Sequence, residues 1–225
     1  MGASKRLAEL VIQAFATLES PTQYCMVRFG NVLGSSGSIL PLFTRQIEKG
    51  GPVTVTHKEA DRFFMTTSEA AELVIQAGSM ATGGDLFLLD MGEPVRIYDF
   101  AEKMIHLHGK RVGKPNDSES QDDFIDIVYT GLRPGEKLRE ELIIGQSVTG
   151  TEHPKIMKAK EDCLSFKVVE EICLSLERAC ESADYLTLKK LLKWAVPGYD
   201  LDQEFVDPVF KIAEMKSDNV TVMKS

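Results

Sequence analysis

The sequence has no apolar run long enough to cross a membrane and no excess of positive charge. A transmembrane helix needs about 20 consecutive apolar residues, and no stretch of this chain approaches that length. The formal net charge is −8, which argues against a nucleic-acid or anionic-membrane surface, because such surfaces need clustered lysine and arginine. No signal peptide is visible at the N-terminus.

Cysteine and histidine are too few and too poorly spaced to suggest a metal site. The four cysteines show no metal-ligand spacing. His106 and His108 lie only two residues apart, and no histidine has an acidic or cysteine partner at a matching distance along the chain. Cys173 and Cys180 fall on an apolar helical stripe and are predicted to lie in the core. A reduced, cytoplasmic protein is therefore expected.

Strand and helix patterns alternate along the chain, which predicts an α/β protein. The residue types predict strands at 24–32, 52–57, 85–94 and 125–131. They predict helices at 4–19, 39–50, 67–81, 97–109, after the turn at 133–143, and through 162–194.

The first helix carries the first candidate residue, Lys5. Ser4 is a plausible N-cap, and Ser20-Pro21 ends the helix because the residue before a proline is forced out of helical geometry. A lysine in a first helical turn is usually a surface residue, and the helix pattern alone favours that interpretation. Met1 lies one turn before Lys5 on the same face, so the two side chains share one space if Met1 is helical.

Three further stretches offer groups for holding an anion. RFGNVLGSSGS places Asn31 and a Gly/Ser loop after a strand, where free backbone N–H groups gather, although an ordinary connecting loop is the better interpretation of that stretch alone. In ADRFFMT, Arg62 either lays its stem on apolar surface or binds an anion. In GLRPGEKLREEL, Arg133 and Glu136 flank a Pro-Gly turn, from which arginine could fork onto a phosphate and glutamate could accept from sugar hydroxyls.

Five motifs in one order resemble a single family. MGASK, RFGNVLGSSGS, RFFMT, LDMGEPV and GLRPGEKLREEL are similar to the C-terminal half of the nucleotide-sugar 4,6-dehydratases of bacterial capsule and surface-glycan synthesis. These enzymes belong to the extended short-chain dehydrogenase/reductase group and typically act on UDP-N-acetylglucosamine. The resemblance extends from Met1 to about residue 199, and the order of the motifs makes it specific.

The resemblance implies the C-terminal part of a Rossmann-type doubly wound sheet and a small α/β substrate-binding domain. Residues 1–57 would then be the last part of the dinucleotide-binding domain, interleaved with substrate loops, and residues 58–160 mostly the substrate-binding part. Residues 161–215 would form a C-terminal helical extension, and 216–225 a frayed tail. The glycine-rich dinucleotide loop is absent from the sequence, so we expect an N-terminal half to be missing upstream.

Residue roles follow from the same resemblance. Larger members of the family look like Met-x-x-x-Lys where the wider group has Tyr-x-x-x-Lys, which places Met1 at the tyrosine position and Lys5 on the cofactor ribose. A thioether has no proton to give, so Met1 is neither acid nor base. The remaining implied contacts are Gly30 with the cofactor, Ser35 and Ser36 near the substrate, and, on the UDP moiety, Asn31, Arg62, Arg133 and Glu136.

One departure from the family pattern bears on Arg62. The preceding residue is Asp61, where the family leads us to expect threonine, and a carboxylate beside a phosphate-binding arginine is unfavourable unless it points away. Arg133 is therefore the stronger of the two phosphate-binding candidates.

The resemblance implies an NAD- or NADP-dependent enzyme that removes a hydride from C4 of a UDP-sugar, eliminates water across C5 and C6, and returns the hydride to C6. It also implies a homo-oligomer when complete, with any membrane anchor of the long members lying upstream. The 225-residue chain alone is expected neither to bind NAD(P) nor to turn over UDP-N-acetylglucosamine. Two alternatives stay open: a UDP-sugar 4-epimerase, and a non-catalytic module that binds a nucleotide sugar or a partner subunit.

Overall fold

The structure, a computed structural model, describes residues 2–115, 120–133, 135–140, 147–196 and 198–199. Its α-helices in chain order are Gly2–Phe15 (α1), Ile39–Glu48 (α2), Thr67–Ser79 (α3), Ile97–Leu107 (α4), Phe166–Glu181 (α5) and Tyr185–Ala195 (α6). Its strands in chain order are Cys25–Arg28 (β1), Asn31–Val32 (β2), Val53–Val55 (β3), Asp61–Arg62 (β4), Phe64–Met65 (β5), Asp85–Leu89 (β6), Val95–Arg96 (β7), Arg111–Val112 (β8), Phe124–Ile125 (β9), Ile127–Tyr129 (β10), Ser147–Gly150 (β11) and Ile156–Lys160 (β12). A short 3-10 helix spans Gln121–Asp123.

The largest sheet has the strand order β1-β6-β12-β11. β1 and β6 are parallel, with Cys25 opposite Asp85, whereas β12 runs antiparallel to both β6 and β11. All five residues of β6 are buried. A strand that is apolar at consecutive positions needs cover on both faces, and this sheet has it.

Alternate residues of the sheet pack against different helices. Leu86 and Leu88 lie in a core cluster with Ile12 of α1. Phe87 and Leu89 belong to a second cluster that includes Leu73 of α3. Because successive side chains of a strand point to opposite faces, the sheet lies between α1 on one side and α3 on the other.

The outer face of α1 is covered in part by the last two helices. Ile172 of α5 and Ala195 of α6 are buried together, and Leu7 of α1 packs against them. Helix α1 is therefore packed on both sides, which fixes the position of its first turn, where Lys5 lies.

A separate hydrophobic core lies outside the large sheet, in the segments of the chain that follow β1 and β6. Phe43 of α2, Val55 of β3 and Ile105 of α4 are buried within it. β3 and β10 pair in parallel, with Val53 opposite Ile127. Parallel strands end at a common edge, so this pair brings the segment after β3 close to the segment after β10.

Two predicted elements are confirmed closely. The strand at 85–94 contains β6, and the helix at 67–81 corresponds to α3. Thr66 caps α3, because its side-chain oxygen accepts a hydrogen bond from the Glu69 N–H at 3.2 Å.

Other local predictions are wrong. Helix α1 begins at Gly2 and ends at Phe15, so Ser4 lies inside the helix and is not its N-cap. Cys180 is exposed although a core position was predicted. The pattern at 162–194 forms two helices, with Ala183 at a positive φ of 52° in the turn between them.

The predicted helix after the Pro-Gly turn is also not observed where the structure describes that segment. Residues 135–140 are non-helical, and residues 141–143 lie outside the described residues. Strands β11 and β12 were not predicted at all. Among the helices of the described ranges, none combines the length and apolar character needed to cross a membrane.

Candidate functional site

The ends of β1 and β6 meet at Gly30 and Met91. The Gly30 N–H donates to the Met91 sulfur at 2.7 Å. A Cβ at Gly30 would lie 2.8 Å from the Met91 methyl carbon and 3.0 Å from the carbonyl oxygen of Phe63. Packing therefore favours glycine at position 30, because any larger residue would have to displace Met91 and crowd the Phe63 carbonyl. The contact joins the motifs RFGNV and LDMGEPV at this edge of the sheet.

Asn31 follows at once and lies in β2, which pairs in parallel with β5. Its backbone N–H donates to the carbonyl oxygen of Phe63 at 2.9 Å. This pairing fixes the backbone at Asn31 directly beside the RFFMT motif, so two of the five motifs share one short sheet.

The Gly/Ser loop that follows is a turn with exposed serines. Ser35 donates its hydroxyl to the Val32 carbonyl oxygen at 2.9 Å, and Ser36 is exposed. As far as the described residues go, neither serine forms a hydrogen bond or ion pair with Arg62, Arg133 or Glu136. Their predicted place near the substrate thus stays a prediction.

Arg62 is held by three backbone carbonyls. Its Nη1 donates to the oxygen of Asp61 at 2.6 Å and to that of Leu138 at 3.1 Å, and its Nη2 donates to the oxygen of Lys137 at 2.9 Å. These bonds join β4 to the segment after the Pro-Gly turn. The carbonyl groups of Lys137 and Leu138 thus accept from Arg62 in a segment, residues 135–140, that is non-helical.

Two carboxylates complete the surroundings of Arg62. Glu136 Oε1 accepts from Arg62 Nη2 at 3.2 Å and from the Thr56 hydroxyl at 3.0 Å, and its Oε2 accepts from the Arg133 N–H at 3.1 Å. Glu140 Oε1 lies 3.5 Å from Arg62 Nε. The structure therefore brings Arg62 and Glu136 into direct contact and places Arg133, which is exposed, on the turn that Glu136 closes.

The carboxylate of Asp61 turns to a different partner. It lies 3.6 Å from Arg139 Nε, whereas Arg62 contacts only the backbone oxygen of Asp61 by hydrogen bond. The expected conflict between neighbouring charges is therefore reduced, because Asp61 pairs with its own arginine.

Glu140 connects this group to Lys5. Burial raises the pKa of Glu140 above its ordinary value, and the charge of Asp61 adds to the rise, while the charges of Arg62 and Lys5 oppose it. Lys5 is exposed in the first turn of α1. Its charge thus acts on the same carboxylate as Arg62, and the predicted cofactor residue lies near the predicted substrate residues. Met1 lies outside the described residues.

A buried charge cluster beside α1 was not predicted. Arg28 at the end of β1 donates to Glu9 at 2.6 and 2.7 Å and to Glu161 at 2.6 and 2.9 Å. Arg6 lies 3.1 Å from Glu9 and 3.0 Å from Glu161. Arg6 and Glu9 are three residues apart on α1, but Arg28 and Glu161 come from other parts of the chain, so no spacing rule could have brought all four together.

Among the residues that the structure describes, no group of three or more His, Cys, Asp or Glu residues is arranged to hold a metal ion. The polar groups gathered here are instead arginines, carboxylates, a threonine hydroxyl and backbone amides. Groups of this kind are suited to a phosphorylated, hydroxylated ligand.

Comparison with known proteins identifies a family and several relatives. A family profile described as "Polysaccharide biosynthesis protein" matches residues 1–161. The chain is 50% identical over 163 residues to the capsular polysaccharide biosynthesis protein CapD of Staphylococcus aureus, covering 72% of this chain and 26% of CapD. It is 47% identical over 177 residues to the probable polysaccharide biosynthesis protein EpsC of Bacillus subtilis, covering 72% of this chain and 28% of EpsC.

Two further likenesses concern function and fold. The UDP-glucose 4-epimerase of Rickettsia massiliae is 33% identical over 150 residues, which cover 66% of this chain and 40% of the epimerase. The X-ray structure of Pen from Bacillus thuringiensis superposes with a TM-score of 0.58 at 31% identity, covering 78% of this chain and 57% of Pen. This likeness confirms the predicted α/β fold class. The chain spans only about a quarter of the length of CapD and EpsC.

Proposed function

The chain belongs to the polysaccharide biosynthesis protein family, and on that premise we propose that it forms the substrate-binding portion of an NAD(P)-dependent UDP-sugar 4,6-dehydratase. The proposed substrate is of the UDP-N-acetylglucosamine type. The proposed reaction is loss of water across C5 and C6 of the sugar after oxidation at C4. The whole enzyme would include the part of its relatives that this chain does not span.

The observation that supports this proposal is the grouping of Arg62, Arg133 and Glu136 around one turn. An arginine on a rigid turn suits the diphosphate, because the guanidinium fork matches phosphate oxygens. Glu136 suits the ribose, because a carboxylate accepts hydrogen bonds from hydroxyl groups. We assign Asn31 to the same UDP site and Ser35 and Ser36 to the sugar side, in accordance with the order of the motifs.

The cofactor that this function requires is NAD or NADP, which accepts and returns a hydride when bound. Lys5 fits a role on its ribose, because an exposed ammonium is a hydrogen-bond donor and the charge of Lys5 acts on Glu140, which lies beside Arg62. Gly30 lies two residues after β1, where a larger residue would crowd Met91 and the Phe63 carbonyl oxygen. Contact with the cofactor is a second role that we propose for it.

The test is titration of UDP into this chain by calorimetry, with an Arg133→Ala variant. A charged hydrogen bond contributes about 1.5–3 kcal/mol, so we expect UDP to bind the variant roughly 10- to 150-fold more weakly. Arg178→Ala, which removes an exposed arginine from α5, is the matched control and is expected to leave the affinity unchanged. Equal affinities for Arg133→Ala and the unaltered chain would show that Arg133 has no part in binding.

A second candidate is supported by the likeness to the Rickettsia massiliae UDP-glucose 4-epimerase. An epimerase returns the hydride to C4 and eliminates nothing. The mass of the product made by the complete enzyme separates the two candidates, because only the dehydratase product is lighter than the substrate by one water.

A further inference from the structure

Glu140 lies beside Arg62, one of the residues assigned to the UDP moiety, but has no part in the function proposed above. We propose that Glu140 is a competing carboxylate, which lies beside Arg62 Nε in the unliganded protein, gives way there to the diphosphate of a nucleotide sugar, and becomes more protonated as it does so. This inference rests on the proposed function. It adds a residue that tunes affinity for the nucleotide and makes that affinity dependent on pH.

The first argument is geometric. Nη1 and Nη2 of Arg62 are engaged by hydrogen bonds of 2.6–3.2 Å to backbone oxygens and Glu136. The contact of Nε with Glu140 is longer, at 3.5 Å, and does not meet the distance of a good hydrogen bond. Of the Arg62 contacts in the described ranges, the one with Glu140 is therefore the easiest for a phosphate oxygen to replace.

The second argument compares the two carboxylates on Arg62. Glu136 accepts from a side-chain hydroxyl and a backbone N–H as well as from Arg62, so it stays in place when the guanidinium finds a new partner. Within the described residues, Glu140 has charge interactions alone, with Arg62 and Lys5 on the attractive side and Asp61 on the repulsive side. Of the two carboxylates, Glu140 is therefore the one whose stabilisation in that part of the chain comes from the cations.

The third argument concerns the proton. The groups facing Glu140 are Arg62 and Asp61 of β4 and Lys5 of α1, and partial burial already raises its pKa. A diphosphate on Arg62 places negative charge beside Glu140 and neutralises its main attractive partner. Both effects raise the pKa further, because a nearby like charge disfavours the ionised carboxylate. The bound state therefore holds more protons than the free protein at weakly acidic pH.

The experiment is calorimetric titration of UDP-N-acetylglucosamine into the chain in buffers of different ionisation enthalpy. Each phosphate of this ligand carries one ester and one anhydride bond and has no weakly acidic hydroxyl, so the ligand itself releases or takes up no proton between about pH 5 and pH 7. At about pH 5.5 we expect the unaltered chain to take up a fraction of a proton per bound ligand. Glu140→Gln should take up none, and at about pH 7.5 it should bind roughly two- to fivefold more tightly, the scale of a partly exposed ion pair.

Glu177→Gln, an exposed glutamate of α5, is the matched control and should keep the proton uptake. If the unaltered chain binds without proton uptake, or if Glu140→Gln keeps the uptake, Glu140 is not the linked group and the inference is wrong, while the proposed function stands. If the ligand binds neither protein although far-ultraviolet circular dichroism shows both to be folded, the proposed function fails for this chain and the inference fails with it.

Discussion

Replacing Arg28 by methionine tests whether the buried charge cluster holds α1 against the sheet. The guanidinium of Arg28 donates at least four hydrogen bonds to Glu9 and Glu161, at 2.6–2.9 Å. The side chains are only 14%, 18% and 5% exposed, respectively. Methionine keeps much of the apolar stem but leaves two carboxylates facing each other with less positive charge.

The expected loss of stability can be estimated from these contacts. Removing one partner of a buried ion pair costs about 3–5 kcal/mol, because the remaining charge is left without compensation. Arg6 still lies 3.1 Å from Glu9 and 3.0 Å from Glu161 and neutralises part of the excess. We therefore expect about 3 kcal/mol. With a urea dependence of about 2 kcal/mol per molar, the unfolding midpoint should fall by roughly 1.5 M.

Urea unfolding followed by circular dichroism measures this shift. The control is Arg96→Met, because Arg96 forms a similar 2.8 Å ion pair with Asp99 but is 64% exposed. An exposed pair contributes at most about 1 kcal/mol, so the control midpoint should stay within about 0.5 M of the unaltered protein. A midpoint for Arg28→Met as high as that of Arg96→Met would refute the view that the cluster stabilises the fold.

Two further predictions concern packing and acid stability. Gly30→Ala should lower the free energy of unfolding by about 1–3 kcal/mol, because the new methyl would meet Met91 at 2.8 Å and a backbone oxygen at 3.0 Å. The control is Gly78→Ala, in a helix with open space around it, which should not destabilise the protein. Equal urea midpoints for the two variants would contradict the packing argument. Burial alone would raise the pKa of Glu9, but the hydrogen bonds and charges of Arg28 and Arg6 outweigh it and hold that pKa below its ordinary value of 4.5. The resulting stability is present above that ordinary value and is lost as pH falls through the folded-state pKa. Glu9→Gln should therefore show a smaller drop in urea midpoint between about pH 5 and pH 3 than the unaltered chain. Parallel plots of urea midpoint against pH for the two proteins would exclude a contribution from Glu9.

The elements that could be predicted from sequence are those whose signals are local. The apolar run at 86–89 predicts a buried strand because both faces of the sheet are covered. Thr66 marks the start of α3 because the cap forms within four residues of the chain. The pairing of Arg133 with Glu136 across the Pro-Gly turn is similarly local.

The features that were missed depend on distant partners. Residues 135–140 have a helical composition, yet Arg62 draws their carbonyls into hydrogen bonds across more than 70 positions of sequence. β12 joins the sheet only because β6 offers it a free edge in antiparallel register, which its own residues do not reveal. Cys180 lies on an apolar stripe but near the end of α5, beyond the buried position Ala179, so periodicity alone misplaced it.

The charge cluster also has a consequence for the order of events as the chain is synthesised. Arg28 and Glu161 are separated by 133 positions, and β12, which neighbours β6 in the sheet, ends just before Glu161. At roughly 5–20 residues per second on the ribosome, an emerging chain waits roughly 7 to 27 seconds between the appearance of Arg28 and that of its second carboxylate. Glu9 is available throughout this interval, so the arginine has one partner from the start. The contact between Arg28 and Glu161 therefore cannot form until the final residue of the family-matched region, residues 1–161, has been added.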